Sequence, residues 1–191
     1  RKRNVLLKKN QANTKSFFIT TEVFVEEAAR VILARIQMIS LLDQLAGPLY
    51  KEISGENSGG LKLRYAVSIP LDNDKINFDI LRLSMLNHLN QIFEQECSRK
   101  SSLIGPHRDD INIYLNDHPA RQYASQGQQR SIAVSLKLAE LMAMQQAQGE
   151  YPVFLLDEAL SELDNERQQR LLSYLQEASF QSFLTTVHMD N

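Results

Sequence analysis

Apolar positions recur with a helical period over two long stretches of the chain. From Glu22 to Leu45, residues Val25, Ala29, Ile32, Ile36, Ile39 and Leu42 fall on one face, and Gly47-Pro48 is expected to stop the helix. From Asn77 to Lys100, residues Ile80, Leu83, Leu86 or Asn87, Asn90, Phe93 and Cys97 lie on related faces. Paired long helices pack against each other, here as a short projecting arm or as an ordinary helical subdomain. Between them, Ser54 to Gly60 reads as a flexible loop, and Leu61 to Ile69 alternates as a half-buried strand ending at Pro70. Ahead of them, Arg1 to Lys9 holds five basic residues and no acid, and reads as the end of a helix whose start is missing. These cations could touch phosphate, although a solvated helix face is the plainer reading.

The pattern changes beyond Arg99. Gly105-Pro106 marks a turn, and Ile111 to Leu115, the Asn116-Asp117 turn and the segment to Ala124 read as a hairpin that delivers Ser125. A glycine-free helix is expected over Gln128 to Gln148, with Ile132, Leu136, Ala139 and Met142 on one face and Val134, Leu138 and Leu141 beside them. Val153 to Leu156 is an uninterrupted apolar run, as in a strand buried on both faces. A helix from Asn165 to Ala178 and another buried strand from Phe180 to Val187 follow. This βα order predicts an α/β fold with a partly parallel sheet.

Two places carry candidate chemistry. The Val153–Leu156 strand ends in Asp157 and Glu158, at the strand edge where open α/β sheets bind ligands. Asp157 would suit a Mg²⁺ on a nucleotide, and Glu158 would be free to orient or deprotonate water; an acidic helix cap is the plain alternative. About thirty residues upstream, Ser125-Gln126-Gly127-Gln128 precedes a helix, whose free N–H groups and positive dipole end form an anion site or merely a capped start. His107 with two carboxylates, Asp109 and Asp110, lacks a second His or Cys at ligand spacing, so a metal site there is not expected; an Arg-Asp pair bracing the nucleotide-facing loops is the better reading.

Composition narrows little. The 191 residues are 43% hydrophobic and 23% charged, enough for one good core and a smaller second one. A net charge of −2 gives no global basic signature, so any nucleic-acid surface is local. The single cysteine, Cys97, excludes an internal disulfide and fits a reducing compartment. No apolar run reaches eighteen residues, so no membrane span is expected. None of the seven glycines is followed by Lys-Ser or Lys-Thr, so the phosphate-cradling P-loop is missing.

The order Ser-x-Gly-Gln, helix, apolar strand, Asp-Glu, then Ser161-Glu162-Leu163-Asp164 resembles the signature motif, Walker B and D-loop of ABC-type ATPases. More narrowly, Gly105-Pro106-His107-Arg108-Asp109-Asp110, Ser125 to Arg130, Leu138-Ala139-Glu140-Leu141 and Leu155 to Asp164 are similar to the RecF family of bacterial recombination-mediator ATPases. Gln126 replaces the first glycine of the general ABC signature, a departure shared with the RecF pattern. The motifs cover Gly105 to Asp164, and the helical half before them fits by pattern more than by identity.

The resemblance implies a helical arm with one strand-like segment over residues 1–100 and the signature and Walker B part of an ABC-type head over 101–191. It implies ATP and Mg²⁺ as cofactors, with Asp157 holding the metal, Glu158 and His188 catalytic, and Ser161 and Asp164 in the D-loop. Ser125, Gln126, Gly127 and Gln128 would serve nucleotide bound by the opposite protomer of an ATP-dependent homodimer. His188 is either the γ-phosphate-sensing histidine of many ABC ATPases or a surface residue. Double-stranded DNA, junctions with single strands, and recombination mediator proteins are the implied partners, in the cytoplasm and without a membrane. Since an ABC ATPase needs its P-loop, and the chain opens in mid-pattern without an initiator Met, the C-terminal part of a longer, repair-related ATPase is expected. Alternatives are another chromosome-maintenance or transport-type ABC head, or a DNA clamp in which ATP is structural.

Overall fold

The computed structural model describes residues 1–56, 60–71, 76–157 and 163–185. The fold is mixed α/β, with seven helices and five short strands among those residues. Two compact units emerge, each assembled from two separated stretches: Arg1–Met38 with Tyr65–Ile111, and Ile39–Arg64 with Asn112–Asn191.

In the first unit, α1 (Lys2–Lys8), the opening turns of α2 (Lys15–Ser54), α3 (Phe78–Gln91) and α4 (Phe93–Arg99) bury two apolar clusters, the smaller of Leu7, Ala12 and Phe17 with Phe93 and Cys97 packed against it. Val25, Ala28, Ala29 and Ile32 of α2 cluster with Leu81, Met85 and Leu89 of α3, and with Ile69 and Ile104. The expected pairing of the long helices is thus present, with different bounds. The helix α2 begins at Lys15, where the Thr14 hydroxyl accepts from Phe17 N at 3.3 Å. The second helical run divides at Ile92, which ends α3 and precedes α4, and the Asn77 side chain caps α3 by accepting from Ile80 N.

Arg3 is the polar centre of this unit. It is 3% exposed and Glu96 is fully buried, and the two form a bidentate ion pair. Arg3 also donates to Thr21 Oγ1 at 3.1 Å and Ser102 Oγ at 2.6 Å, and lies over the rings of Phe17 and Phe24 at 5.0 and 5.7 Å. One guanidinium therefore ties α1, α2 and α4 together. Of the five basic residues near the start, Arg3 is neither solvated nor open to phosphate.

The Gly105–Asp109 segment is held internally as well. Gly105 has φ +122°, and a Cβ there would lie 2.7 Å from Phe24 Cζ, so only glycine fits. Asp109 accepts from Tyr65 Oη at 2.6 Å and from Ser68 N at 2.8 Å, while Arg35 donates to Pro106 O at 2.6 Å. Burial first, and Asp109 with it, push the Tyr65 phenol up to about 12, so it stays a donor across the neutral range. Among the described residues no group of His, Cys, Asp and Glu could hold a metal ion.

In the second unit α2 continues through Gly47-Pro48 to Ser54, contrary to the expected stop. Pro48 removes one helical hydrogen bond. Beyond it Leu49, Tyr50 and Ile53 are buried, so packing of the last turns outweighs the local penalty. The strands β1 (Leu61–Ala66), β2 (Asp110–Leu115) and β3 (His118–Pro119) form one sheet in that order, with β2 and β3 antiparallel. Asn116 and Asp117 at the hairpin turn have φ +54° and +63°, as a two-residue primed turn requires. The remainder of the expected hairpin is a single helical turn, α5 (Ala120–Tyr123).

Four further elements complete this unit's α/β part: α6 (Gln126–Gln148), β4 (Phe154–Leu156), α7 (Asn165–Glu177) and β5 (Ser182–Leu184). The strands β4 and β5 pair in parallel, Leu155 opposite Phe183, which is the βαβ arrangement that the sequence order predicts. The strand β4 is not buried on both faces: Leu155 is 70% exposed and Phe183 53%. Inward-facing Phe154 and Leu156 are buried, while the opposite face of this two-stranded sheet has no cover among the described residues.

Glu96→Ala should leave the Arg3 charge buried without its partner and destabilise the chain by about 3–5 kcal/mol. The paired change Arg3→Met with Glu96→Leu should be far milder. Urea unfolding followed by helicity tests this, and equal losses for the single and paired changes would contradict it.

Candidate functional site

The Ser125–Gln128 turn is a closed capping box. Ser125 has extended backbone angles and caps α6, its Oγ accepting from Gln128 N at 3.2 Å, while Gln128 Oε1 accepts from Ser125 N at 3.0 Å. A Ser followed three residues later by Gln specifies this geometry locally. Accepting the Gln128 N–H leaves the Ser125 hydroxyl proton able to donate. The N–H groups of Gln126 and Gly127 begin the helix and have no acceptor among the described residues. Ser125 and Gln126 are exposed, so this positive helix end faces outward. Deeper in the helix, buried Ser131 and Ser135 donate to the carbonyls of Gly127 and Ser131, so that face needs no other polar partners.

The second helix start lies beside the first. Asp164 caps α7, its Oδ1 accepting from Arg167 N at 3.0 Å and its Oδ2 from Arg167 Nη1 at 2.8 Å. The Arg167 backbone N–H, and then its guanidinium, hold the Asp164 carboxyl below its ordinary value. Arg167 reaches back to Glu56, Nη2 to Oε1 at 3.2 Å, and Gln128 Nε2 donates to the same carboxylate at 3.2 and 3.3 Å. Tyr50 Oη donates to Glu56 Oε2 at 3.2 Å; burial first and Glu56 next push this phenol up to about 12, which keeps its proton in place. A Cβ on Gly127 would stand 2.5 Å from Arg167 Nη1, so the guanidinium lies directly on the glycine.

Four of the sequence-selected residues, Ser125, Gly127, Gln128 and Asp164, are thereby joined through Glu56 and Arg167. Asp157 has a different partner. It is exposed just past the end of β4 and accepts from the Thr185 hydroxyl, and Thr185 N donates to Leu156 O at 3.0 Å, so the ends of both parallel strands fix this carboxylate. Its position at the C-terminal end of a parallel strand, with carboxylate oxygens facing solvent, fits a hard divalent cation. Glu158, Ser161 and His188 lie outside the described residues.

Glu56, Arg167 and Thr185 were not selected from the sequence. Glu56 sits in the segment read as a flexible loop, and no local spacing links it to Gln128, 72 positions away, or to Arg167, 111 away. Arg167 carried one signal, its position three residues after an N-cap aspartate.

No protein-family model matches the chain. The DNA replication and repair protein RecF of Enterococcus faecalis is 40% identical over 186 residues, which cover 97% of this chain and 49% of that protein. RecF of Staphylococcus epidermidis is 40% identical over an alignment of 194 residues, covering 100% and 52%. The solved structure of the recombination mediator protein RecF with ATP, of the RecFOR pathway, superposes with a TM-score of 0.83 at 33% identity over 100% of this chain and 50% of that one. A second RecF structure, described as RecF-ATPrS, gives 0.81 over 98% and 50%. RecF proteins are thus homologues of this chain, its fold matches theirs, and it spans about half the length of the curated relatives it matches. No helix among the described residues is long and apolar enough to cross a membrane.

Asp164→Ala removes the α7 cap and should cost about 1 kcal/mol in urea unfolding. Because the folded-state pKa is shifted downward, the cap's contribution is complete above the ordinary value of about 3.8 and is lost as pH falls through the lower folded value. Parent and variant should therefore converge only below that range; a difference that closes between pH 5 and 7 would contradict the assignment.

Proposed function

We propose that this chain, as a homologue of RecF, contributes the signature and Walker B elements to an ABC-type ATPase acting in DNA replication and repair. The observation that carries the reading is the capped, outward-facing start of α6 in a chain that matches an ATP-bound RecF structure throughout its length. In this reading residues 101–191 hold the nucleotide motifs, while residues 1–100 supply the helical arm and, through Ile39–Arg64, part of the unit that carries those motifs.

Ser125 supplies a hydroxyl donor, and Gln126 and Gly127 supply backbone donors at a positive helix end. These are aimed at a γ-phosphate bound by the opposite protomer, where negative charge develops during hydrolysis. An exposed turn suits that task, since an acceptor in the same protomer's own pocket would not need it at the surface. Asp157 would hold Mg²⁺, which when bound neutralises phosphate charge. Glu158 orients the attacking water and takes its proton. His188 senses the γ-phosphate, and Ser161 and Asp164 form the loop that meets the partner. The ATP-dependent homodimer binds double-stranded DNA or its junction with single strands, and works with mediator proteins to load recombinase in the cytoplasm.

Complementation in the complete protein tests the composite site. Ser125→Arg and Glu158→Gln should each lower turnover by about 10² or more as homodimers. Mixing them creates heterodimers in which one site pairs an intact Glu158 with an intact Ser125, while the other site carries both defects. ATPase activity should reappear on mixing. A mixture as inactive as its components would contradict action across the dimer.

A further inference from the structure

Glu56 lies two residues past the C-terminus of α2, and its side chain is 26% exposed. Its carboxylate only accepts hydrogen bonds, and it receives them from Tyr50, Gln128 and Arg167. Two of these donors are themselves cap partners. Gln128 closes the box on Ser125, and Arg167 closes the cap on Asp164. We infer that Glu56 is a positioning residue for the phosphate-binding turn: it fixes the Gln128 amide and the Arg167 guanidinium, and through them the relative placement of Ser125, Gly127 and Asp164.

The amide geometry carries the argument. Gln128 must present Oε1 to the Ser125 N–H, so its Nε2 must point the other way and needs an acceptor. Glu56 is that acceptor, and a group without donors cannot satisfy the flipped amide. Losing Glu56 therefore removes the partner that selects the amide orientation. It also leaves Arg167, which rests on Gly127 at a distance that leaves no room for a methyl group, held by Asp164 alone. The Glu56 charge is the second counter-charge to that cation beside a helix end that is itself positive. Glu56→Gln keeps one acceptor oxygen, enough for Gln128 and Arg167, which share Oε1, but it loses the charge that pairs with Arg167 and the second oxygen that accepts from Tyr50.

This inference rests on the proposal that Ser125 serves nucleotide held by the opposite protomer. In the complete protein, Glu56→Ala should lower kcat by about tenfold or more and raise the ATP concentration for half-maximal dimerisation, with protomer ATP affinity unchanged within about twofold. Gln128→Ala should act likewise, and the double variant should be no worse than either single one, because both remove the same constraint. Glu56→Gln should fall between parent and Glu56→Ala, and it carries the test if Glu56→Ala does not fold. Additive losses in the double variant, or unchanged kcat and dimerisation in Glu56→Ala, would overturn the positioning role. Ser125→Arg separates the two ideas: if it abolishes dimerisation and turnover while Glu56→Ala does not, only the role of Glu56 fails, and if it has no effect, the signature reading itself fails.

Discussion

The carboxylate of Glu56 is the constraint on which the candidate site depends. Two helices, α6 and α7, begin at positions separated by about forty residues of sequence, and each start is locally competent: Ser125 and Gln128 cap one, Asp164 caps the other. Local capping defines each start but says nothing about their mutual placement. That placement comes from a third stretch of chain, just after α2, whose carboxylate binds Gln128 and Arg167 together. The continuation of α2 through Pro48 matters for the same reason, because a helix ended at Leu45 would not carry Tyr50 and Glu56 to this point.

The first unit solves a similar problem by different means. Its buried centre is the Arg3–Glu96 ion pair, and desolvation makes such a pair costly unless every donor and acceptor is used. Here two of the three remaining guanidinium donors reach Thr21 and Ser102, and Glu96 also accepts from Leu103 N at 2.9 Å. The Gly105–Asp109 segment is likewise closed on itself through Tyr65, Ser68 and Arg35. Asp109 thus braces this segment, through Tyr65 and Ser68.

What was legible in the sequence was local. A helix start near Ser125, the turn at Asn116-Asp117, the helix after Asp164 and the parallel βαβ order rest on short patterns and their succession, and each formed; the reciprocal capping box at Ser125 was not read in advance. The stop at Gly47-Pro48 did not form, since burial of Leu49, Tyr50 and Ile53 decides the matter at a distance. The break at Ile92 and the exposure of Leu155 were missed for a related reason: periodicity and apolar runs report which residues can be covered, not what covers them. Arg3, Glu56 and Arg167 escaped notice because their partners lie 93, 72 and 111 positions away, and charged residues in helices and loops ordinarily read as solvated surface.

In the proposed composite site the Ser125–Gly127 turn meets a γ-phosphate held by another copy of the protein. A photoreactive group attached to the γ-phosphate of ATP tests this in the complete protein, with peptide mapping of the label. Labelling is expected within Ser125 to Arg130 and should disappear when the protein is diluted below its nucleotide-dependent dimerisation range, although the probe stays bound. Labelling of that segment that persists in the monomer, or a saturated dimer in which the segment is never labelled, would contradict it.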